Sequence, residues 1–262
     1  MRRSAVVVAM TAVLLASSCR DDHVTIVFHP KPDTVLSYDI HVESSSTTSL
    51  PGQPGRATSS ADLTAHQRVL DVKDGITRIE VDLSRVGTGS RTFIMRFDRA
   101  AQLTAVESVE GIPAEALGSL GLSEIFPAAA GAPPNRPLRP GDRWKIDDRV
   151  QLAGMDEPAR LVGSGHLVKL GVDNGHDTAT VTSSTSFPLT STSTTIDGVQ
   201  QLKGTQTTTI TVVYDLSNGA VRHSTATTIG QFDVVLSPPP GQAGTPITGT
   251  LAVDLRSEIR SG

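Results

Sequence analysis

The 262-residue sequence contains one cysteine, Cys19, and aromatic residues make up only 3% of it. A single thiol excludes a disulfide scaffold, and it excludes zinc or iron–sulfur sites that are built from several cysteines. The sequence also lacks the HExxH motif and any pair of histidines at the spacing of metal ligands. We therefore expect a fold that depends on an aliphatic core, with no metal and no other cofactor.

An excess of basic charge is absent as well. The chain has 23 Lys+Arg against 27 Asp+Glu, a net charge of −4, and it contains no basic run. Nucleic acids and anionic lipid surfaces select basic patches. The composition therefore predicts no nucleic-acid partner.

The N-terminus has the layout of a secretory signal. Arg2 and Arg3 precede an apolar stretch over residues 5–15, and small residues then lead into Cys19. The apolar stretch is shorter than the roughly 20 residues that a helix needs to cross a bilayer. Residues 1–18 are therefore predicted to be a signal peptide, and its removal changes the net charge from −4 to −6 because Arg2 and Arg3 are lost.

The segment LLASSC (14–19) resembles the lipobox of bacterial lipoprotein precursors, in which a Leu-rich run and small residues precede an invariant cysteine. It departs from that pattern at Ala16, where leucine is commonest. The resemblance implies cleavage before Cys19 and attachment of acyl chains such as palmitate to it. Two or more acyl chains hold a protein on a membrane stably, so the implied location is extracytoplasmic, on the cell membrane or envelope. The alternative is an ordinary signal peptide whose removal leaves a free thiol.

The rest of the chain has the patterning of antiparallel strands. Residues 76–86 alternate between apolar and charged side chains, and residues 92–97, 209–214 and 248–259 behave similarly. Dense Thr and Val favour a pleated surface. Turn signals lie at KDG (73–75), DNG (173–175) and SNG (217–219). Two segments, 44–60 and 237–246, are predicted to be long and irregular.

A weak internal repeat suggests a duplication. HQRVLDVKDG (66–75) and HLVKLGVDNG (166–175) lie one hundred residues apart, and weaker matches follow in the same order. The sequence therefore predicts two β-meanders, over 35–110 and 144–262, that share one domain. We expect a mainly β fold in which the meanders form a curved sheet, a sandwich or a half-barrel.

Two other segments complete the predicted organisation. Residues 19–34 are expected to form the lipidated tether, and residues 111–143 a connector that contains a short helix over 113–126 and a proline-rich stretch. The apolar side chains of the helix include Leu117, Leu120 and Phe126, and they could cover an apolar ligand. Trp144 follows the connector and either plugs the end of the core or lines the mouth of a ligand site.

No set of residues in the sequence predicts catalysis. Ser164 and His166 lie two apart in a strand, so their side chains project in parallel and do not converge. His66 and His166 occupy equivalent positions in the repeat; they could bind a metal or be one strand residue that was duplicated. We therefore expect a protein without enzymatic activity.

The mature chain resembles secreted lipoproteins of high-GC bacteria, a family with no assigned activity. The likeness rests on the lipobox, SYDIHV (37–42), RPGDRW (139–144) and YDLSNGAV (214–221). More loosely, the chain is similar to envelope lipoproteins that carry lipids in a half-barrel. That resemblance implies a lipid or another apolar ligand. The residues that we expect to contact it are those of the predicted helix, Leu117, Leu120 and Phe126, together with Trp144. The alternative is a structural or protein-interaction module that docks through its Thr-rich sheet faces.

The prediction for Cys19 can be tested by intact-mass spectrometry of protein purified from its own host. We expect a mature chain that begins at Cys19 and carries acyl adducts, recovered in the membrane fraction. Cys19→Ser should remove the adducts and release the protein, whereas Ser17→Ala should change neither. A mature chain of unmodified mass would show that the anchor does not exist.

Overall fold

The computed structural model describes residues 23–85, 89–99, 101, 103–109, 133–150, 159–195, 198–239 and 241–262. In these ranges, eleven strands form one antiparallel sheet. The strands are β1 Val35–Leu50, β2 Gln53–Lys73, β3 Ile76–Arg85, β4 Gly89–Phe97, β5 Leu103–Val109, β6 Arg143–Val150, β7 Ala159–Asp173, β8 His176–Thr195, β9 Gly198–Asp215, β10 Val221–Ser237 and β11 Ile247–Ser261. No helix with the length and hydropathy of a membrane span occurs in the part of the chain that is described.

The strand order is β5-β4-β3-β2-β1-β11-β10-β9-β8-β7-β6. Strands β1 to β5 therefore form one meander, which runs from the middle of the sheet to one edge. Strands β6 to β11 form a second meander, which runs from the other edge back to the middle. The two meanders join where β1 pairs with β11, from Tyr38 opposite Ser261 to Ser49 opposite Thr250. Extensive contacts between strands are confined to neighbours in this order. The mainly β, antiparallel prediction is thus confirmed as a single open sheet rather than a sandwich.

The two stretches that suggested a duplication occupy comparable places in this sheet. Residues 66–75 end β2 and form its hairpin with β3, and residues 166–175 end β7 and form its hairpin with β8. Both turns place two consecutive residues at positive φ, as a tight two-residue hairpin requires; these are Asp74 (52°), Gly75 (75°), Asn174 (48°) and Gly175 (82°). The duplication itself stays a prediction, as does the helix over 113–126, which lies outside the described residues.

The alternation of side chains gives the sheet one apolar and one polar face. On β4, Phe93 and Met95 point to the face that we call inner, and both are fully buried. The opposite, outer face carries ion pairs between neighbouring strands, such as Arg68 with Glu80 (2.8 Å) and Arg160 with Asp147 (2.8 Å). These pairs are exposed, so the free energy of folding comes mainly from the inner face.

The buried core lies on the inner face at one end of the sheet. We call the end at which β1 begins basal and the other end distal. Two clusters of buried side chains, which we call the basal clusters, fill the basal end of the inner face. The first contains Phe28, Tyr38, Ile40, Ala65, Ile79, Val81, Phe93, Met95, Phe97, Ala220 and Ile259; the second contains Ile26, Leu138, Leu167, Ala179, Val181, Ile210, Val212 and Tyr214.

The segment that precedes β1 is part of this core. Val24 forms a β-bridge with Leu138, and Ile26 and Phe28 are only 2% and 6% exposed. The predicted tether over residues 19–34 is therefore too long, because the chain joins the fold from Val24 onward. Apolar side chains at alternate positions, 24, 26 and 28, explain why it does so.

Contacts of this segment show that the sheet is strongly curved at its base. The N–H groups of Phe28 and His29 donate to the carbonyl oxygens of Arg99 (2.6 Å) and Asn218 (2.9 Å). Those two oxygens therefore lie within about 10 Å of each other. Arg99 follows β4 and Asn218 precedes β10, five positions away in the sheet, which would be about 24 Å in a flat sheet. The basal end must therefore curl around the segment.

The prediction of an irregular segment over residues 44–60 is wrong. This stretch forms the distal halves of β1 and β2, which pair up to Leu50 opposite Gln53. Only Pro51 and Gly52 form the turn, and Gly52 has a φ of 79°. The serine, threonine and glycine content of this stretch is typical of a loop. In the structure, the backbone groups of the two strands instead pair with each other along a long ladder. The other predicted irregular segment, 237–246, is confirmed between β10 and β11.

A glycine on β7 accommodates the single tryptophan. Gly165 lies directly opposite Trp144 on β6, and a Cβ atom at Gly165 would overlap the indole ring. The ring therefore lies flat against the backbone of β7, and it packs on the second basal cluster. Because an indole is rigid and this one is held by the core, it has little freedom to move away.

We expect Gly165→Ala to lower the free energy of unfolding by about 1–3 kcal/mol, the usual cost of overpacking a core. Gly171→Ala is the matched control on the same strand, because its Cβ would meet Thr178 Oγ1 at an ordinary 3.5 Å. This control should be neutral or stabilising, since glycine weakens a strand interior. Urea denaturation of both variants makes the comparison. Equal midpoints would show that the indole does not depend on Gly165.

Candidate functional site

The distal part of the inner face extends well beyond the basal clusters. Strands β1, β2 and β8 to β11 are 15 to 21 residues long, but their core residues lie in their basal halves. The registers place further apolar side chains on the same face beyond this core. We call these residues the distal apolar face: Leu50, Phe187, Leu189, Leu202, Phe232, Val234, Leu236, Leu251, Val253 and Leu255.

The distal apolar face belongs to neither basal cluster. Most of its side chains are only half-buried, and the strands that carry them make extensive contacts only with their neighbours in the sheet. Phe232 and Val234 are more deeply buried, at 8% and 3% exposed. For Phe232 the sheet itself is the cause: a Cβ at Gly204 or Gly230 would overlap its ring, so the ring lies flat on these two glycines. Its burial therefore does not require a second layer.

Small side chains lie beside the distal apolar face. The inner positions of β1 and β2 at this level include Ser44, Ser46, Ala57 and Ala61. Large aliphatic and aromatic groups on β8 to β11 thus stand next to short side chains on β1 and β2. Apolar side chains of this kind are the usual lining of a site for an apolar ligand.

Three buried polar atoms at the basal end lack a hydrogen-bond partner. Among the described residues they are Thr77 Oγ1, Arg99 Nη1 and Trp144 Nε1. Thr77 is fully buried and lies opposite Phe97 on the inner face, and Arg99 follows Phe97 by two residues. Buried polar atoms are usually paired because an unpaired one costs free energy. These three atoms are therefore a feature that the fold alone does not explain.

The two tyrosines of the basal clusters show how dry this region is. Burial raises the pKa of the Tyr38 phenol well above its usual range. The pKa of Tyr214 is raised in the same way by burial, and additionally by the Asp98 carboxylate beside it. Any polar group held at the base therefore sits in a medium of low dielectric constant, where electrostatic interactions are stronger than in water.

Of the residues predicted to contact a ligand, the structure describes one. Trp144 lies on the inner face, half-buried against the second basal cluster, and its indole N–H is one of the three unpartnered donors. Trp144 therefore packs on the core at the base and not at the distal apolar face, and its contact with a ligand stays a prediction. Leu117, Leu120 and Phe126 lie outside the described residues, as does Cys19.

The histidines of the repeat are not brought together. His66 on β2 and His166 on β7 both point to the outer face, six positions apart in the sheet. His66 Nδ1 instead lies 3.0 Å from Ser37 Oγ. Ser164 shares the outer face with His166, and the two side chains run in parallel, as their spacing predicts. In the described ranges, no group of three or more His, Cys, Asp or Glu side chains could hold a metal ion.

The outer face of β8 to β10 carries an array of neighbouring hydroxyl groups. Its strands pair so that Thr and Ser side chains stand side by side, with Thr182 and Thr211 hydroxyls 3.2 Å apart. The members are Thr182, Ser184, Ser186, Thr205, Thr207, Thr209, Thr211, Thr225 and Thr227. We call this the hydroxyl face. It is the Thr-rich surface on which the alternative of a docking module depends.

Sequence reasoning missed most of this site. In IGQFDVVL (229–236), the polar residues Gln231 and Asp233 alternate with the apolar residues Phe232 and Val234. This alternation could have revealed that Phe232 and Val234 share the inner face. That the Nη1 atom of Arg99 lacks a hydrogen-bond partner becomes visible only in three dimensions.

Comparison with known proteins assigns no family. No family model matches the chain, and no curated protein matches it. Among solved structures, the chain is similar to one described as "lipid-protein interactions in lipovitellin", with a TM-score of 0.47 and 12% sequence identity. The match covers 88% of this chain and 25% of that one. This likeness is too distant to carry an argument about function.

Proposed function

We propose that the protein is a lipid-anchored, extracytoplasmic lipoprotein of the bacterial envelope that binds a lipid or another apolar ligand on the inner face of its sheet, without enzymatic activity. The observation that carries the ligand-binding part is the distal apolar face. The anchor and the location rest on the resemblance of residues 14–19 to a lipobox. The lack of activity is inferred from the separation of Ser164, His66 and His166 from any converging group in the described ranges.

The energetic argument concerns an apolar face without a second layer. Removing apolar surface from water contributes about 25 cal/mol per Å², and contiguous apolar patches on soluble proteins usually mark interaction sites. In the basal half, the segment from Val24 to Phe28 and residues around Leu138 supply the second layer. An acyl chain would supply it in the distal half.

The alternative is a structural or protein-interaction module of the envelope, and the hydroxyl face favours it. A regular array of hydroxyl groups over three strands is a broad surface for docking. The two functions are distinguished by whether lipid co-purifies with the protein. Organic extraction of protein purified from its host should yield stoichiometric lipid if the first function is correct, and none if only the second is.

A neutral fluorescent probe, 1-N-phenylnaphthylamine, tests the distal apolar face directly. We expect the full chain, freed of co-purifying lipid, to bind the probe, and Leu251→Asn to weaken binding by about tenfold or more because a buried apolar contact is replaced by an unpaired amide. Fluorescence titration gives the Kd of each variant.

The control is Ile229→Asn, which removes a branched aliphatic side chain from the outer face of neighbouring β10, where Ile229 is 50% exposed. This variant should bind the probe as the wild type does. Equal loss of binding in both variants would indicate a general effect on folding. No binding by the wild-type chain would refute ligand binding on this face and leave the docking module.

A further inference from the structure

We propose that the ligand of the distal apolar face is an uncharged lipid with a hydroxyl or ester group, such as a fatty alcohol or an acylglycerol, and that Gln206 and Thr208 on β9 bind this group. This inference rests on the proposed function and specifies the chemical class of its ligand. It is carried by the distribution of charge between the two faces of the sheet, and by the polar side chains at the border of the distal apolar face.

Charged side chains of the distal sheet are confined to its outer face. The registers place no Asp, Glu, Lys, Arg or His at a distal inner position in the described parts of β1, β2 and β8 to β11. The outer positions of the same strands carry both signs of charge, for example Lys203 opposite Asp233 and Glu43 opposite Arg256. A ligand on the inner face therefore meets no counter-ion from these strands. Because burial of an unpaired charge is costly, an uncharged ligand is favoured.

Uncharged polar side chains lie where the distal apolar face meets the basal clusters. Thr185, Thr208 and Thr228 are cross-strand neighbours on β8, β9 and β10, and Gln206 shares the inner face of β9 with Thr208. The hydroxyl oxygens of Thr208 and Thr228 form a hydrogen bond of 2.9 Å. Thr185 and Thr228 are only 3% and 6% exposed, whereas Thr208 and Gln206 are half-buried. Thr208 and Gln206 are therefore the two that a ligand can reach.

Gln206 lies among members of the distal apolar face. Its cross-strand partners are Phe187 on β8 and Gly230 on β10, and the ring of Phe232 lies on Gly230. A hydrocarbon ligand on this face would remove the Gln206 carboxamide from water without replacing its hydrogen bonds, which is unfavourable. A lipid that carries a hydrogen-bonding group beside its apolar chain avoids this cost.

The chemistry of the two accessible side chains selects the group. A carboxamide has N–H donors and a carbonyl acceptor, and a threonine hydroxyl both donates and accepts. Gln206 and Thr208 can therefore donate to the carbonyl oxygen of an ester or accept the hydrogen of a hydroxyl group. Neither side chain supplies the charge that strengthens binding of a carboxylate, a phosphate or an ammonium group. The polar group would lie at Gln206, with the apolar chain along the distal apolar face.

The test compares four ligands with a dodecyl or dodecanoyl chain: 1-dodecanol, 1-monododecanoylglycerol, dodecanoate and dodecyltrimethylammonium. Displacement of 1-N-phenylnaphthylamine from the delipidated full chain gives the Kd of each, below its micelle concentration and at a pH at which dodecanoate is ionised. We expect the two uncharged ligands to bind at least about tenfold more tightly than either ion. Because this comparison uses the wild-type chain, it does not depend on the folding of any variant.

Substitution then assigns the preference to Gln206. Gln206→Leu should weaken binding of the two uncharged ligands about threefold to tenfold, the effect of one lost hydrogen bond, and should not weaken binding of the hydrocarbon pyrene. Gln206→Glu should shift the preference toward dodecyltrimethylammonium, which a merely structural role of Gln206 would not produce. Gln231→Leu is the matched control, because it makes the same change on the exposed outer face of neighbouring β10. This control should alter none of the affinities.

The outcomes separate this inference from the proposed function. If either ion binds as tightly as the uncharged ligands, or if Gln206→Leu binds the uncharged ligands as the wild type does, the inference is wrong while binding of an apolar ligand stands. If the wild-type chain binds neither pyrene nor any of the four ligands, the proposed function fails and the inference fails with it.

Discussion

The architecture depends on one non-local ladder, the pairing of the first strand with the last. Strands β1 and β11 are separated by almost the whole chain, yet twelve residue pairs join them in register. Without this ladder, each meander would be a separate sheet with one apolar face and an additional unpaired edge. With it, inner positions on both sides align into one continuous surface. Every property of the inner face, from the basal clusters to the distal apolar face, follows from that register.

A single sheet with one apolar face must still cover that face, and this protein covers it unevenly. At the base, the segment before β1 fills the curved sheet, and its N–H groups bind carbonyl oxygens from both meanders. The same segment thereby fixes the curvature, since one short stretch of chain contacts the loops after β4 and before β10. In the distal half the strands continue, and most of the apolar side chains on the inner face there are only half-buried. The division between a filled base and an open distal half defines the candidate site.

The sequence allowed good prediction of what depends on local patterning. Alternation located β3, β4, β9 and β11, and Asp-Gly and Asn-Gly located the hairpins at 74–75 and 174–175, because these properties are set by neighbouring residues. Composition misled over 44–60, where Ser, Thr and Gly suggested a loop although their backbones pair for the full length of two strands. The β1–β11 ladder was beyond local reasoning, since no neighbouring residues encode a contact between the two ends of a chain.

The candidate site illustrates the same division. Trp144 was identified from its type and position, but its place on Gly165 and its unpartnered N–H depend on the register between β6 and β7. A partnerless polar atom is defined by what surrounds it, so it cannot be recognised in a sequence, whereas an alternating strand can.

The placement of the N-terminal segment also constrains how an anchored molecule would sit at a membrane. Three residues separate Cys19 from His23, so a lipid on Cys19, if the proposed anchor exists, would be attached within about 14 Å of the packed chain, which is the reach of four residue steps. Val24 is already at the base, bridged to Leu138. The anchor would therefore hold the basal end close to the bilayer and leave the distal end directed away from it.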